Sequence, residues 1–477
     1  MTNTSIPFLQ PDTGQAPALA VAARPVTARR VAAATLGCKL NQYETEAVLG
    51  QFRRLGWRSV PLEEEADLVL VDTCTVTDRA DQKARHLIRQ VIRRNPEAVV
   101  VVMGCYSQAA ASEVAAIPGV DWIVGTGEKH RLAELIGEPA KQDEPVIRVA
   151  RPDGNQRDLL ALEGFERQTR AWLKVQDGCD VFCSFCIIPF TRGRSRSMRP
   201  EEVLGQAARL LEAGYLELVL TGVHIGDYGR DFLSRGDFPS RRDLAWLCRQ
   251  LLELPGIRRL RLSSIEPWDI GDDLLEAMAA DPRFCPHLHT ALQSGSEEIL
   301  QAMGRRIDRR GLEDLFARIG RHLPGAGLGT DLITGFPGET ERHFRETLKL
   351  VESLPLTYLH VFPYSPRAGT RAARLPDPVP VAIRRERSRV LLDLGERLQA
   401  ASHRRALGSL AEVLVEHRVQ GGSLFGYTPD YLRVELPLQP GEEAAQVANR
   451  LVTVRLLENR GDWLLGGRAE AIPAASA

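Results

Sequence analysis

The sequence predicts an α/β protein of three units: an N-terminal doubly wound parallel sheet, a central partial (β/α)6 barrel and a C-terminal small antiparallel β-barrel. Three observations carry this. Residues 29–140 alternate apolar runs with helix-like stretches, the rhythm of a parallel sheet. Residues 165–395 repeat that rhythm six times. In residues 406–471 the helical stretches stop, and short β-rich runs are separated by Gly and Pro turns.

At 477 residues, the chain is long enough for about three domains. A hydrophobic fraction of 44% and a charged fraction of 26% are those of a soluble globular protein, and no apolar run approaches the ~20 residues of a membrane span. Residues 1–28, nearly free of charge, read as a flexible leader without a convincing cleavage pattern. Net charge is only −1, but between Arg367 and Arg405 ten Arg face four acids, Asp377, Glu386, Asp393 and Glu396. This is either a solvated helix face or a contact surface for a phosphate backbone. Eight cysteines are too few for a disulfide scaffold, and six of them stand in two groups of three. Thiolate ligation of that kind implies a reducing cytosol.

In the first unit, three apolar runs each lead to a cysteine: Arg30–Gly37 to Cys38, Ala66–Thr73 to Cys74, and Ala98–Gly104 to Cys105. Helical stretches follow over Tyr43–Leu55, Arg79–Arg94 and Ser107–Ala116. Doubly wound sheets bind ligands beyond the carboxyl ends of their strands. The three cysteines therefore converge in space although 36 and 31 positions separate them in sequence. One such Cys would be an ordinary buried thiol, but three at equivalent strand ends favour a ligand set.

In the second unit, strands are predicted over Ala171–Gln176, Leu216–Leu220, Ile257–Leu262, His287–Leu292, Gly327–Ile333 and Leu356–Phe362. Barrels of this kind place their chemistry on the loops after the strands. The first loop holds Cys179, Cys183 and Cys186 in a CxxxCxxC triplet. A closed zinc site wants four protein ligands, whereas a cubane iron–sulfur cluster with three cysteines leaves one iron open for a small molecule. The alternative is a zinc knuckle whose fourth ligand lies far off in sequence. Glu266, Gln293, Ser294 and His224 offer hydrogen bonds at the same rim, although Ser294 suits a helix cap better. Arg192, Arg194, Arg196 and Arg199 follow the triplet and suit substrate phosphates or a carboxylate. Cys248 and Cys285 stand apart and read as core residues. In the third unit, Phe425, Tyr427 and Tyr431 are candidates for base stacking, or else aromatics of a packed β-domain.

Across residues 29–471, these motifs resemble the radical S-adenosylmethionine (SAM) methylthiotransferases. The segments carrying the likeness are Thr35–Glu46, Asp72–Thr77, Gly104–Gln108, the CxxxCxxC triplet and Gly335–Thr340. The resemblance implies a radical-SAM barrel, a C-terminal TRAM-like RNA-binding module, and two [4Fe-4S] clusters with SAM as cofactors. It implies one cluster on Cys179, Cys183 and Cys186, and a second on Cys38, Cys74 and Cys105. It also implies SAM contacts from Gly222, Glu266, Gln293, Ser294 and Asp331. The implied reaction draws hydrogen from C2 of an adenine with a SAM-derived radical, inserts sulfur and adds a methyl group. The substrate is then tRNA at its anticodon loop, position 37, with an electron donor and a sulfur source as partners. The motif Gly37-Cys-Lys-Leu-Asn-Gln-Tyr-Glu-Thr is similar to the branch acting on N6-threonylcarbamoyladenosine. The other branches act on isopentenyladenosine in tRNA or on a ribosomal-protein aspartate. Asp72 departs from the family's usual Asn and is expected to add negative charge near Cys74. The competing reading outside the enzymes is a zinc-stabilised RNA-binding protein.

Overall fold

The computed structural model describes residues 29–152, 160, 162, 164–165 and 168–468. The leader 1–28 and residues 469–471 of the third unit lie outside these.

The first unit is a six-stranded sheet in the order Arg58–Ser59, Arg30–Leu36, Leu68–Thr73, Val99–Gly104, Trp122–Val124, Val146–Arg148. Every pairing in it is parallel. The two central strands are buried along their whole length, as their Val- and Leu-rich runs require. One face packs on Phe52, Trp57 and Leu132, and the other on Ala84, Ile88 and Val91. The first helix runs Lys39–Arg54 and so starts at the cysteine rather than at Tyr43. Asn41 Oδ1 accepts the Cys38 amide proton at 3.3 Å, which satisfies a free N–H at the helix start. The stretch predicted as one helix over 107–116 forms two, Cys105–Ala109 and Ala111–Ala115.

Cys38, Cys74 and Cys105 thus follow three adjacent strands. Gly104 makes the last turn possible. Its φ is +103°, and an added Cβ would overlap Thr73 backbone and the Asp72 carboxylate.

In the second unit, the strands Ala171–Lys174, Glu217–Thr221 and Arg259–Leu262 form one parallel sheet. Ser264–Ile265, His287–Gln293, Gly327–Thr334 and Tyr358–Pro363 form the next. The third barrel strand changes neighbour at Ser263, which joins both sheets into one open (β/α)6 wall. Inward residues of the last three strands line the lumen, with His287, His289, Tyr358, Asp331 and His360 in one cavity and Gln293, Asp331, Ile333 and Phe362 in the next. Gly329 leaves room for this: a Cβ there would overlap the Tyr358 ring. The basic segment after the sixth strand contains a 26-residue helix, Val381–Ala406. Charge masked its weak apolar stripe, which comes down to residues such as Leu391, Leu394 and Gly395.

The third unit is a closed five-stranded barrel. It is not wholly antiparallel as predicted, since Arg433–Pro437 pairs parallel with Leu464–Arg468. A closed ring of five strands cannot alternate direction throughout, so one seam must run parallel. The strand Ser423–Tyr427 was hidden by its Gly and aromatic content. This barrel docks under the (β/α)6 wall. Arg259 donates to Tyr427 O at 2.9 Å and to Glu412 O at 2.6 Å, and Arg261 donates to Pro429 O at 2.8 Å. Glu217 pairs with Arg261 at 2.6 Å. Among the described residues, no helix is long and apolar enough to cross a membrane.

Gly104→Ala combines an unfavourable φ with a backbone overlap. It should cost about 2–4 kcal/mol, read as a lower urea midpoint.

Candidate functional site: two thiol triads on one cleft

Each triad sits at strand ends, and each is close-knit. Burial, then Cys105 and Cys38, push the Cys74 thiol up to about 12, against the Val76 amide and Arg192. Burial also raises Cys105, against Arg192 and Lys129. In the second triad, burial with Cys183 and Cys179 pushes Cys186 up to about 12. Cys183 is raised by burial against Arg305, whose guanidinium lies 3.6 Å from its sulfur. Thiols this high become thiolates only when a cation takes the proton's place.

The loop carrying the second triad is held by Gln176. Its amide donates to Asp177 O, Gly178 O and Ser195 Oγ at 2.9, 2.7 and 3.0 Å. Its Oε1 accepts from Val223 and His224 amides at 3.1 and 2.8 Å. Gly222 is needed because a Cβ there would press on Gln176, so its role is close packing of two rim loops. His224 Nδ1 lies 3.8 Å from Cys179 Sγ, and Nε2 contacts Asp269 at 2.5 Å. Burial disfavours the His224 imidazolium, but Asp269 and Cys179 outweigh it and raise the pKa to about 10.

The rim residues separate into two groups. Gln293 and Asp331 line a cavity of about 320 Å³ with Cys186, Phe185, Phe362 and Tyr364. Glu266 is committed to Arg305, which donates from Nη1 at 3.1 Å. Ser294 contradicts its predicted cofactor role: its hydroxyl faces Thr347 Oγ1 at 3.3 Å and accepts the Ser296 amide proton at 3.2 Å. It ties the fourth strand's loop to the interior of the helix Glu341–Ser353 and caps no helix, since Ser296 holds the N-cap position of the next one. The Tyr364 hydroxyl is buried without a partner among the described residues, so the cavity wall holds an unused polar group.

This cavity opens into a larger one of about 950 Å³ that carries Cys74, and the two share Val76, Thr77 and the segment 362–365. One thiol of each triad, Cys74 and Cys186, therefore lines this pair of adjoining cavities.

A buried ion network fixes that relation. Glu44 meets Lys129 at 2.7 Å, Arg192 at 2.8 Å and Lys174 at 3.0 Å. Asp177 meets Lys174 at 2.8 Å, Arg196 at 3.0 Å and Arg192 at 3.2 Å. Arg192 and Arg196 are thus structural, which overturns their assignment to substrate phosphates or a carboxylate. Arg194 is exposed, pairs with Asp180 and covers the Phe182 ring. The charge of Asp72 is also spent, on Lys129 at 2.7 Å and on Asn41 at 2.9 Å. Sequence reading missed Glu44, Lys129 and Arg305, because nothing in their local pattern marks a charge as buried. Cys248 and Cys285 lie buried apart from the cleft. Phe425 is buried against Arg433 and Trp463, and Tyr427 and Tyr431 stack on each other at 4.8 Å. These aromatics pack internally and present no stacking platform.

The donor sets fit iron–sulfur clusters better than zinc. Each set offers three thiols and no fourth cysteine, the two remaining cysteines being buried elsewhere, which suits a cubane with one open iron better than a closed four-ligand zinc site.

The barrel, with thiols on the loop after its first strand, defines a radical-SAM enzyme, and the comparisons with known proteins agree. The Radical SAM superfamily matches residues 173–351, and the family described as Uncharacterized protein family UPF0004 matches residues 30–125. The chain is 39% identical over 409 residues to threonylcarbamoyladenosine tRNA methylthiotransferase MtaB of Bacillus subtilis (strain 168), covering 85% of this chain and 89% of the relative. It is 36% identical to the Chlamydia pneumoniae protein of that name, over 90% of this chain and 96% of the relative. It is 34% identical to the tRNA-2-methylthio-N(6)-dimethylallyladenosine synthase of Moorella thermoacetica, over 91% and 96%. The chain belongs to the radical-SAM methylthiotransferase family, and to its MtaB type. Members of this family use SAM and [4Fe-4S] clusters.

Anaerobically reconstituted protein should contain roughly eight irons per chain with matching sulfide, and the triple variant C38A/C74A/C105A roughly four. Zinc without iron would restore the non-enzyme reading. Glu44→Gln leaves buried cations unpaired and should cost about 3–5 kcal/mol in chemical denaturation. Burial raises the Glu44 carboxyl, but Arg192, Lys129 and Lys174 hold it well below its ordinary 4.5. Its contribution therefore persists at neutral pH, declines as pH falls below the ordinary 4.5, and is gone once pH has passed the lower folded value.

Proposed function

We propose that the chain converts N6-threonylcarbamoyladenosine of tRNA, at position 37 in the anticodon loop, to its 2-methylthio derivative. The observation that carries this reading is the pair of adjoining cavities lined by Cys74 of one triad and Cys186 of the other. A C2–H bond is unactivated, so acid–base chemistry alone does not remove it. Bound clusters and SAM would supply the radical chemistry and the methyl group.

The chain's own residues hold and shield the substrate. Phe185, Phe362 and Tyr364 make the inner cavity largely apolar and keep water from the reacting carbon. Arg305 sits against Cys183, and His224 against Cys179, so both sulfurs have cationic or proton-donating neighbours. Arg192 and Lys129 do the same for Cys105.

The large cleft is wide enough for an extruded nucleotide. Arg79, Lys83, Arg384 and Arg385 stand on its wall. Arg385 and Arg389 are exposed on the long basic helix, with no acidic partner among the described residues. This face supports contact with tRNA phosphates. The MtaB name of the relatives at 39% and 36% identity supports the threonylcarbamoyl substrate over isopentenyladenosine. The reaction needs an electron donor and a sulfur source as partners, and oxygen-sensitive thiolate centres support a cytoplasmic location.

Mass spectrometry of tRNA nucleosides from a strain lacking the gene should show loss of 2-methylthio-N6-threonylcarbamoyladenosine. An unchanged profile would turn attention to the protein-modifying branch. Arg385→Ala and Arg389→Ala should each lower the slope of log K against log salt for tRNA by roughly 0.7–0.9, and an unchanged slope removes this helix from the interface.

A further inference from the structure

Below the thiols, the barrel lumen holds a second cavity of about 100 Å³. All three units build it: Lys39 from the first, Asp331 and its neighbours from the barrel, and Tyr431 from the third. It meets the cavity of Cys186 at Asp331, and Lys39 directly follows Cys38.

Three cations face this space. Arg170 pairs with Glu416 at 2.9 Å and Arg261 with Glu217 at 2.6 Å. Lys39 has no carboxylate or hydrogen-bond partner among the described residues. It is solvent-exposed and stands on the cavity wall, where a counter-anion would supply its missing partner.

Two neighbouring rings respond to these cations. Burial pushes the Tyr431 phenol up, but Arg170, Lys39 and Arg261 outweigh it and bring it below its ordinary value. Burial, then Arg261, His289, Lys39 and Arg170, hold His287 well below its ordinary value. On the opposite wall, Asp331 Oδ1 is engaged by His289 Nε2 at 3.0 Å and His360 Nδ1 at 3.3 Å. The Tyr358 hydroxyl lies between His287 at 2.8 Å and His289 at 2.9 Å. His289, Asp331 and His360 stand close enough to ligate a metal ion, but the Lys39 ammonium across the cavity, unlike the paired Arg170 and Arg261, lacks a counter-charge and suits an anion.

We propose that this cavity receives the threonyl end of the substrate's N6 side chain, with Lys39 pairing with its carboxylate and the His289–Asp331–His360 wall meeting its hydroxyl. The inference rests on the threonylcarbamoyl reading above and adds the subsite that selects it. The purine then occupies the cleft while its substituent descends into the lumen. An isopentenyl group offers no polar partner and leaves Lys39 unpaired, so the cavity discriminates against it.

The test compares binding of anticodon stem-loops carrying N6-threonylcarbamoyladenosine, its threonyl methyl ester, or plain adenosine. The wild-type holoenzyme should bind the acid about ten- to hundredfold more tightly than the ester, the worth of one charge-assisted hydrogen bond. Lys39→Gln, with iron content matched to wild type, should bind acid and ester alike, and Lys39→Arg should recover part of the preference. Equal wild-type affinity for acid and ester would overturn the subsite whether or not the variants take up iron. Failure of the wild type to methylthiolate the threonylcarbamoyl substrate at all would instead sink the reading it rests on.

Discussion

The buried network of Glu44, Asp72 and Asp177 with Lys129, Lys174, Arg192 and Arg196 is the contact on which the site depends. It joins the first helix of the N-terminal sheet to the first strand and first loop of the barrel. Desolvating seven charges is expensive, and a well-packed apolar interface would give comparable stability. Directional pairing gives a single allowed arrangement of the two units, since a sliding or rotated interface would strand a charge in the interior. Chemistry that needs two reactive centres on one substrate carbon needs that uniqueness more than it needs stability.

The same network has an electrostatic consequence. Its four cations exceed its three acids by one, and Arg192 and Lys129 lower the Cys105 thiol against the push of burial. The structural brace therefore also favours the thiolate form of a prospective ligand.

A second brace closes the far end of the barrel. Arg259 and Arg261 reach down to backbone carbonyls of the C-terminal barrel, and Tyr431 enters the lumen with φ +74°. That conformation is unfavourable for a residue with a side chain. It is held by stacking on His287 at 4.5 Å and by Arg261 at 5.0 Å from the ring. The third unit is thus part of the barrel floor as well as a candidate RNA handle, and an inward-turned Tyr431 contributes to a polar lumen in place of an open base platform.

Much of this architecture is written locally. Apolar runs ended by Cys, the strand-then-helix rhythm and the CxxxCxxC spacing all follow from period and turn chemistry, which neighbouring residues decide. The six barrel strands and both triads were legible for that reason. What stayed hidden is non-local. Glu44 and Lys129 are 85 positions apart, and Glu44 and Arg192 148 apart, so no window of sequence shows them as partners. Arg192 read as a ligand for substrate because an Arg in a loop carries no mark of its burial. Ser294 read as a cofactor contact because its partner Thr347 is 53 positions away. Lys39, His289, Asp331 and His360 become one cavity only when a sheet, a barrel and a β-barrel are assembled. Chemical identity and placement at a strand end are properties of the chain. Which charges are spent on each other and which remain free for a ligand is decided by burial and distance, and those exist only in the folded molecule.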